Sequence, residues 1–157
     1  MARYRFLTTW LLDAPRDLVW EQLQDAVSWP RWWRGVVRVE ELDPGDHRRV
    51  GSRYLIEWRS RIPYPLEFEF RTDEVDPPRR MAGRATGELE GTGEWRLWEE
   101  DGVTAVVYDW DVATTKPWMN ALAPLARPVF RWNHDVLLRQ GGEGLADRLG
   151  ARLLAHG

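Results

Sequence analysis

Between residues 36 and 114 apolar and polar positions mostly alternate, the period of strands with one face buried. The clearest stretch is YPLEFEFRTDEV. There Tyr64, Leu66, Phe68 and Phe70 share one side, and Glu67, Glu69 and Arg71 the other. VVRVEEL and GSRYLIEWRS, separated by a DPGD turn, predict two more strands, with Tyr54, Ile56 and Trp58 on the inner side of the second. DPPRR breaks the pattern. MAGRATGELEGTGEWRLW then predicts two strands and TAVVYDWDVATT one, with Val106, Tyr108, Trp110 and Val112 opposite Asp109 and Asp111. One apolar and one charged face is the mark of an antiparallel sheet wet on a single side. Gly83, Gly87, Gly91 and Gly93 interrupt the region. Glycine in a strand marks a bulge, a bend or a close approach, and missing inner side chains would also leave room for a ligand.

The flanks follow other periods. RYRFLTTWLL, residues 3–12, predicts a strand with Tyr4, Phe6, Thr8 and Trp10 on one face. Asp13 then suits a helix cap and Pro15 a first turn. The following helix groups Leu18, Val19, Gln22 and Leu23, with Trp20 at the flank. SWPRWWRGV is a short helical turn broken by Pro30 and closed by Gly35. Near the C-terminus, Pro117, Pro124 and Pro128 predict a broken segment over about 117–126. A longer helix then starts near Pro128. At ~100° per residue, Phe130, Asn133, His134, Leu137 and Gly141 share its buried sector, while Arg131, Trp132, Asp135 and Arg139 face away. Gly141 on the buried stripe argues that the helix passes through Gly141-Gly142 to about Leu154. An exposed Trp132 would need another segment or a partner chain to cover it.

At 157 residues the chain fits one domain, 1–157, long enough to bury a core or enclose a cavity. No apolar run is long enough to span a bilayer, and the N-terminus is too broken by polar residues for a signal peptide. Without cysteine, disulfides and thiolate metal sites are excluded; a cytoplasmic location is expected. The net charge of −3, with signs interspersed, argues against nucleic acid as a partner. Eleven tryptophans are the loudest compositional feature. Large aromatics serve equally as core or as the wall of a small-molecule pocket.

The order strand, two short helices, antiparallel strands, long C-terminal helix resembles the α+β helix-grip (START-like) fold, a curved antiparallel β-sheet wrapped around the last helix. APRDLVW, WPRWW, IPYPLEFEF, GELEGTGEW, TKPWMN, LARPVFRWNHD and GEGLADRL are similar to the polyketide cyclase/dehydrase-like branch of the START-like (SRPBCC) superfamily, over essentially the whole chain. That resemblance implies an internal cavity for a hydrophobic, aromatic, polyketide-like or lipid-like molecule. It does not imply one chemistry. A cofactor-independent cyclase or dehydratase and a non-catalytic carrier or sensor both remain open. No cofactor is implied, and a monomer or homodimer fits equally.

Candidate site residues are the inner-face groups with polar handles or aromatic area: Tyr54, Trp58, Tyr64, Phe68, Trp95, Tyr108, Trp110, Trp118, Phe130, Asn133 and His134. His134, Tyr108 and Tyr54 are the candidates for moving a proton or polarising a carbonyl, with His134 and Tyr108 foremost. For His134 three roles are open: catalyst, ligand anchor in the cavity ceiling, or hydrogen-bonded core histidine. No two histidines have metal-ligand spacing, so no metal site is expected. GELEGTG lacks the lysine–hydroxyl pair and the strand–helix context of a phosphate loop. A ligand pocket of the expected kind requires a cavity of at least about 300 Å³.

Overall fold

The computed structural model describes residues 2–59 and 64–157. Ser60 of the expected third strand and the first two residues of IPYP lie outside them. Strand β1 (Arg3–Leu12), helix α1 (Arg16–Gln24) and a 3₁₀ turn (Ala26–Arg31) open the fold. Strands β2 (Val36–Asp43), β3 (Arg53–Trp58), β4 (Leu66–Asp76), β5 (Arg80–Gly87), β6 (Leu89–Glu100) and β7 (Val103–Thr114) follow. Helices α2 (Pro117–Ala121) and α3 (Ala123–Leu149) and a last strand β8 (Leu153–His156) complete it. The strands form one antiparallel sheet in the order β2-β3-β4-β5-β6-β7-β1-β8, in the α+β helix-grip arrangement.

Alternation along the strands decides which side is core. In β7 the buried positions are Thr104, Val106, Tyr108, Trp110, Val112 and Thr114. The intervening Asp109 and Asp111 pair on the outer face with Arg5 and Arg3 of β1 at 3.2 and 3.0 Å. Exposed pairs of this kind contribute little; the apolar face does the folding. Eight of the eleven tryptophans are buried, leaving Trp98, Trp118 and Trp132 exposed.

Several local expectations are corrected. Asp13 does not cap α1: Pro15 occupies the cap position without a side-chain bond, and Asp13 pairs with Arg152 at 3.3 Å. Within α1, Trp20 is buried and Leu18 exposed. The break near the C-terminus falls at Leu122, and α3 runs through Pro128, which lies early enough in the helix to cost a single internal bond. Helix α3 passes Gly141-Gly142 as expected but stops at Gly150, whose left-handed conformation (φ 63°) caps it. The tail then pairs with β1 through Trp10↔His156 and Leu11↔Ala155 instead of continuing the helix to Leu154.

The glycines of β5 and β6 hold no ligand space. A Cβ at Gly93 would meet the Trp110 ring at 2.8 Å and Phe70 at 3.2 Å. These two rings fill the gap. Trp132 remains 51% exposed beside Val129 and Leu125, and no described residue covers that stripe.

The C-terminal half of α3 is seated by small residues. The Trp33 indole lies against Gly141 and donates from Nε1 to the Leu137 carbonyl at 2.8 Å. A Cβ on Gly144 would fall 1.7 Å from the Trp32 carbonyl oxygen. Helix propensity alone makes Gly144→Ala a gain of about 1 kcal/mol. The backbone contact reverses the sign, so the variant is expected to lose at least about 2 kcal/mol. Urea unfolding measures this directly, and a gain in stability would contradict the seating.

Candidate functional site

The inner faces of β3 and β4 and the apolar side of α1 do not meet, and the gap between them is a cavity of about 200 Å³. Trp20, Leu23 and Gln24 of α1 and Ala26 and Trp29 of the 3₁₀ turn form one wall. Tyr54, Ile56 and Trp58 of β3 and Phe68, Phe70 and Thr72 of β4 form the opposite wall. Trp95 and Tyr108, stacked at 4.0 Å between centroids, close the inner end. The His47-Arg48-Arg49 loop and Pro77 edge the mouth. No residue of α2 or α3 lines it.

A second, smaller cavity of about 60 Å³ lies beneath α3. It is lined by Tyr4, Phe6, Trp110, Thr114, Met119, Phe130, Asn133 and His134 among others. Trp58 touches both cavities. With Phe68 at 4.9 Å on one side and Trp110 at 5.5 Å on the other, it forms the partition.

The candidate residues therefore divide. Tyr54, Trp58, Phe68, Trp95 and Tyr108 surround the larger cavity. Trp110, Phe130, Asn133 and His134 border the smaller one, with Trp58 shared. Tyr64 and Trp118 line neither; they pack edge to face at 5.2 Å, with Lys116 over the Tyr64 ring. His134 and Tyr108, paired as possible catalysts from the sequence, face different cavities. His134 as ceiling of the main pocket is thus corrected. Three indoles, Trp10, Trp33 and Trp95, pack together at centroid distances of 5.5–6.2 Å in the core reached by the C-terminal half of α3.

Size is also corrected. The larger of the two inner cavities falls below the ~300 Å³ lower bound for drug-sized ligands. An apolar cavity of ~150 Å³ accepts a benzene ring, which makes one substituted ring the matching size. Within the wall, the Ser52 hydroxyl and the Trp58 indole N–H are buried without hydrogen-bond partners among the described residues. Burial raises the Tyr108 phenol well above its ordinary value, so it remains a protonated donor at neutral pH.

Trp20, Trp29, Ser52, Thr72, Arg48 and Arg49 were not singled out from the sequence. Ser52 and Thr72 had a signal: each continues the inner-face parity of its strand, two residues from Tyr54 and Phe70. The loop arginines had none, because a polar turn reads as solvent-facing.

His134 is 6% exposed, stacks on Phe6 at 3.8 Å, and neither ring nitrogen has a hydrogen-bond partner among the described residues. Its Nδ1 lies 3.8 Å from the exposed Asp135 carboxylate, beyond bonding distance. Burial lowers its pKa from 6.5 to about 3. The imidazole is therefore neutral and a poor proton acceptor at pH 7. Because the unfolded chain protonates near 6.5, this histidine's contribution is complete above that pH and is lost as pH falls toward 3. Relative to a His134→Gln variant, the protein is expected to lose about 2 kcal/mol between pH 7 and pH 5. Denaturant titrations across that range check it, and parallel pH profiles would contradict the neutral, desolvated ring.

Comparison with known proteins places these features in a family. No curated protein matches the sequence. Among solved structures, the Zhui aromatase/cyclase from Streptomyces sp. R1128 superposes with a TM-score of 0.78 at 21% identity, covering 95% of this chain and 94% of that one. The di-domain aromatase/cyclase BexL of the BE-7585A biosynthetic pathway gives 0.75 at 20% identity, over 96% of this chain and 51% of its own. A START superfamily protein from Mycobacterium smegmatis gives 0.70 at 12% identity, over 92% and 98%. At these identities the likeness is one of fold. The sequence itself matches the family described as polyketide cyclase / dehydrase and lipid transport over residues 5–150, and the chain belongs to that family.

Proposed function

We propose that the protein binds a small aromatic molecule, one ring with a polar substituent, in the cavity between α1 and strands β3 and β4. One observation carries this reading. An apolar, ring-sized space retains two buried hydrogen-bonding groups, Ser52 Oγ and Trp58 Nε1, that have no partner among the described residues. An unmade bond in a dry interior costs about 1–3 kcal/mol, and a bound oxygen would recover part of it. Plain core packing would sooner place apolar groups there.

Cyclase- or dehydratase-type turnover is the second reading, favoured by the family and by Tyr108 at the inner end of the cavity. Confinement would fold a short carbonyl-bearing chain toward ring closure. The protonated phenol would donate to the carbonyl oxygen as charge builds there. His134 has no part in this reading, since it lines the other cavity.

Tryptophan fluorescence during titration separates these outcomes. One-ring ligands such as benzyl alcohol are expected to quench it saturably, and a rigid three-ring aromatic to leave it unchanged. Saturable binding of the three-ring compound alone, or of neither, would contradict the cavity assignment. If turnover of a short polyketone mimic occurs, Tyr108→Phe should lower kcat about 100-fold, whereas His134→Gln should leave it within about twofold. Equal loss in both variants would sink the assignment of Tyr108.

A further inference from the structure

The larger cavity has a charge opposite to that of the chain. The protein carries a net −3, yet the cavity's lining includes Arg48, Arg49 and His47 and no aspartate or glutamate. Arg48 reaches across the mouth to donate to the Val75 carbonyl at 3.2 Å and pairs with no carboxylate among the described residues. Arg49 is shared: Glu41 takes one side of its guanidinium at 3.2 Å, and the Tyr54 hydroxyl lies at 3.5 Å.

The loop that carries these arginines is built to hold them. Asp46 N–H donates to the Val50 carbonyl at 2.9 Å, and Arg49 N–H to the Asp46 carbonyl at 3.0 Å. The Asp46 carboxylate accepts from the backbone N–H groups of Arg48 and Val50 at 2.8 and 3.0 Å. Arg49 itself sits at φ 71°, a left-handed conformation that glycine adopts freely and a side chain resists. Strain of about 1–3 kcal/mol at a non-glycine residue points to a job for its side chain.

We infer that the ligand is an aromatic monoanion, with its ring inside the cavity and its carboxylate at the mouth on Arg48 and Arg49. This deepens the binding function proposed above and rests on it. The aromatic wall of Trp95, Tyr108, Phe68 and Phe70 receives the ring. Tyr54 of β3 and the Ser52 hydroxyl just before that strand, which has no partner among the described residues, follow directly on the arginine loop and line the cavity beside it. An amine or a metal ion would face Arg48, which has no carboxylate partner among the described residues, and a lining without aspartate or glutamate. A long neutral acyl chain would exceed a volume of about 200 Å³.

Calorimetric titration with benzoate and with its neutral isostere benzamide tests this, using the intact protein, Arg48→Gln and Arg49→Gly. Glycine at 49 keeps the turn, because it tolerates the backbone conformation without strain. The intact protein is expected to bind benzoate at least about tenfold more tightly than benzamide. Each variant should lose about tenfold for benzoate and nothing for benzamide, with an unchanged or higher Tm for Arg49→Gly. Equal affinities for the two probes, or equal losses in the variants, would overturn the anionic assignment while leaving the ring-sized cavity standing. Binding of neither probe would overturn both.

Discussion

The architecture depends on how Trp33 meets α3. Its fully buried indole occupies the notch at Gly141 and donates to the Leu137 carbonyl. Gly144 lets the helix backbone approach the Trp32 carbonyl. A helix with ordinary side chains at 141 and 144 would be held off the Trp32-Trp33 turn by the width of a methyl group or more. Small residues here therefore fix the depth of the grip, and the tryptophan turn is the surface gripped. A sheet that curves around a helix usually invites a ligand between them. In this protein indoles occupy much of that place.

That occupation moves the site. Trp10, Trp33 and Trp95 form one aromatic cluster, and Trp110, Trp58 and Phe68 continue it toward the other end. Two spaces remain on either side of Trp58. The one beneath α3 is small and holds a desolvated, neutral His134. The other lies between α1 and the β3–β4 inner face, behind a mouth edged by arginines. Their volumes differ: about 60 Å³ beneath α3 and about 200 Å³ between α1 and the β3–β4 face, the space to which the proposed ring ligand is assigned.

Much of this was legible in the residues. Period-two alternation located the strands from β2 to β7; in β3, β6 and β7 one face is buried and the other wet, so the signal repeats at every second side chain. The wheel for α3 placed His134, Leu137 and Gly141 inward correctly, and Trp132 outward. Failures share a cause: they concern what a side chain meets after folding. The facing of Trp20 depends on a cavity wall that α1 shares with β4. Gly93 looked like room for a ligand until Phe70 and Trp110 arrived from neighbouring strands. LLAH after Gly150 carries no local mark of a strand, and its partner, β1, lies at the far end of the chain. The arginine loop was invisible for the same reason, since its mouth exists only when β2 and β3 pair.

The eleven tryptophans make the central claim measurable, because each indole N–H gives its own NMR resonance. During titration with toluene, the resonances of Trp20, Trp29, Trp58 and Trp95 should shift saturably, while those of Trp98, Trp118 and Trp132 stay in place. Shifts at Trp58 and Trp110 without Trp20 and Trp29 would put the ligand beneath α3 and contradict a site between α1 and the β3–β4 face.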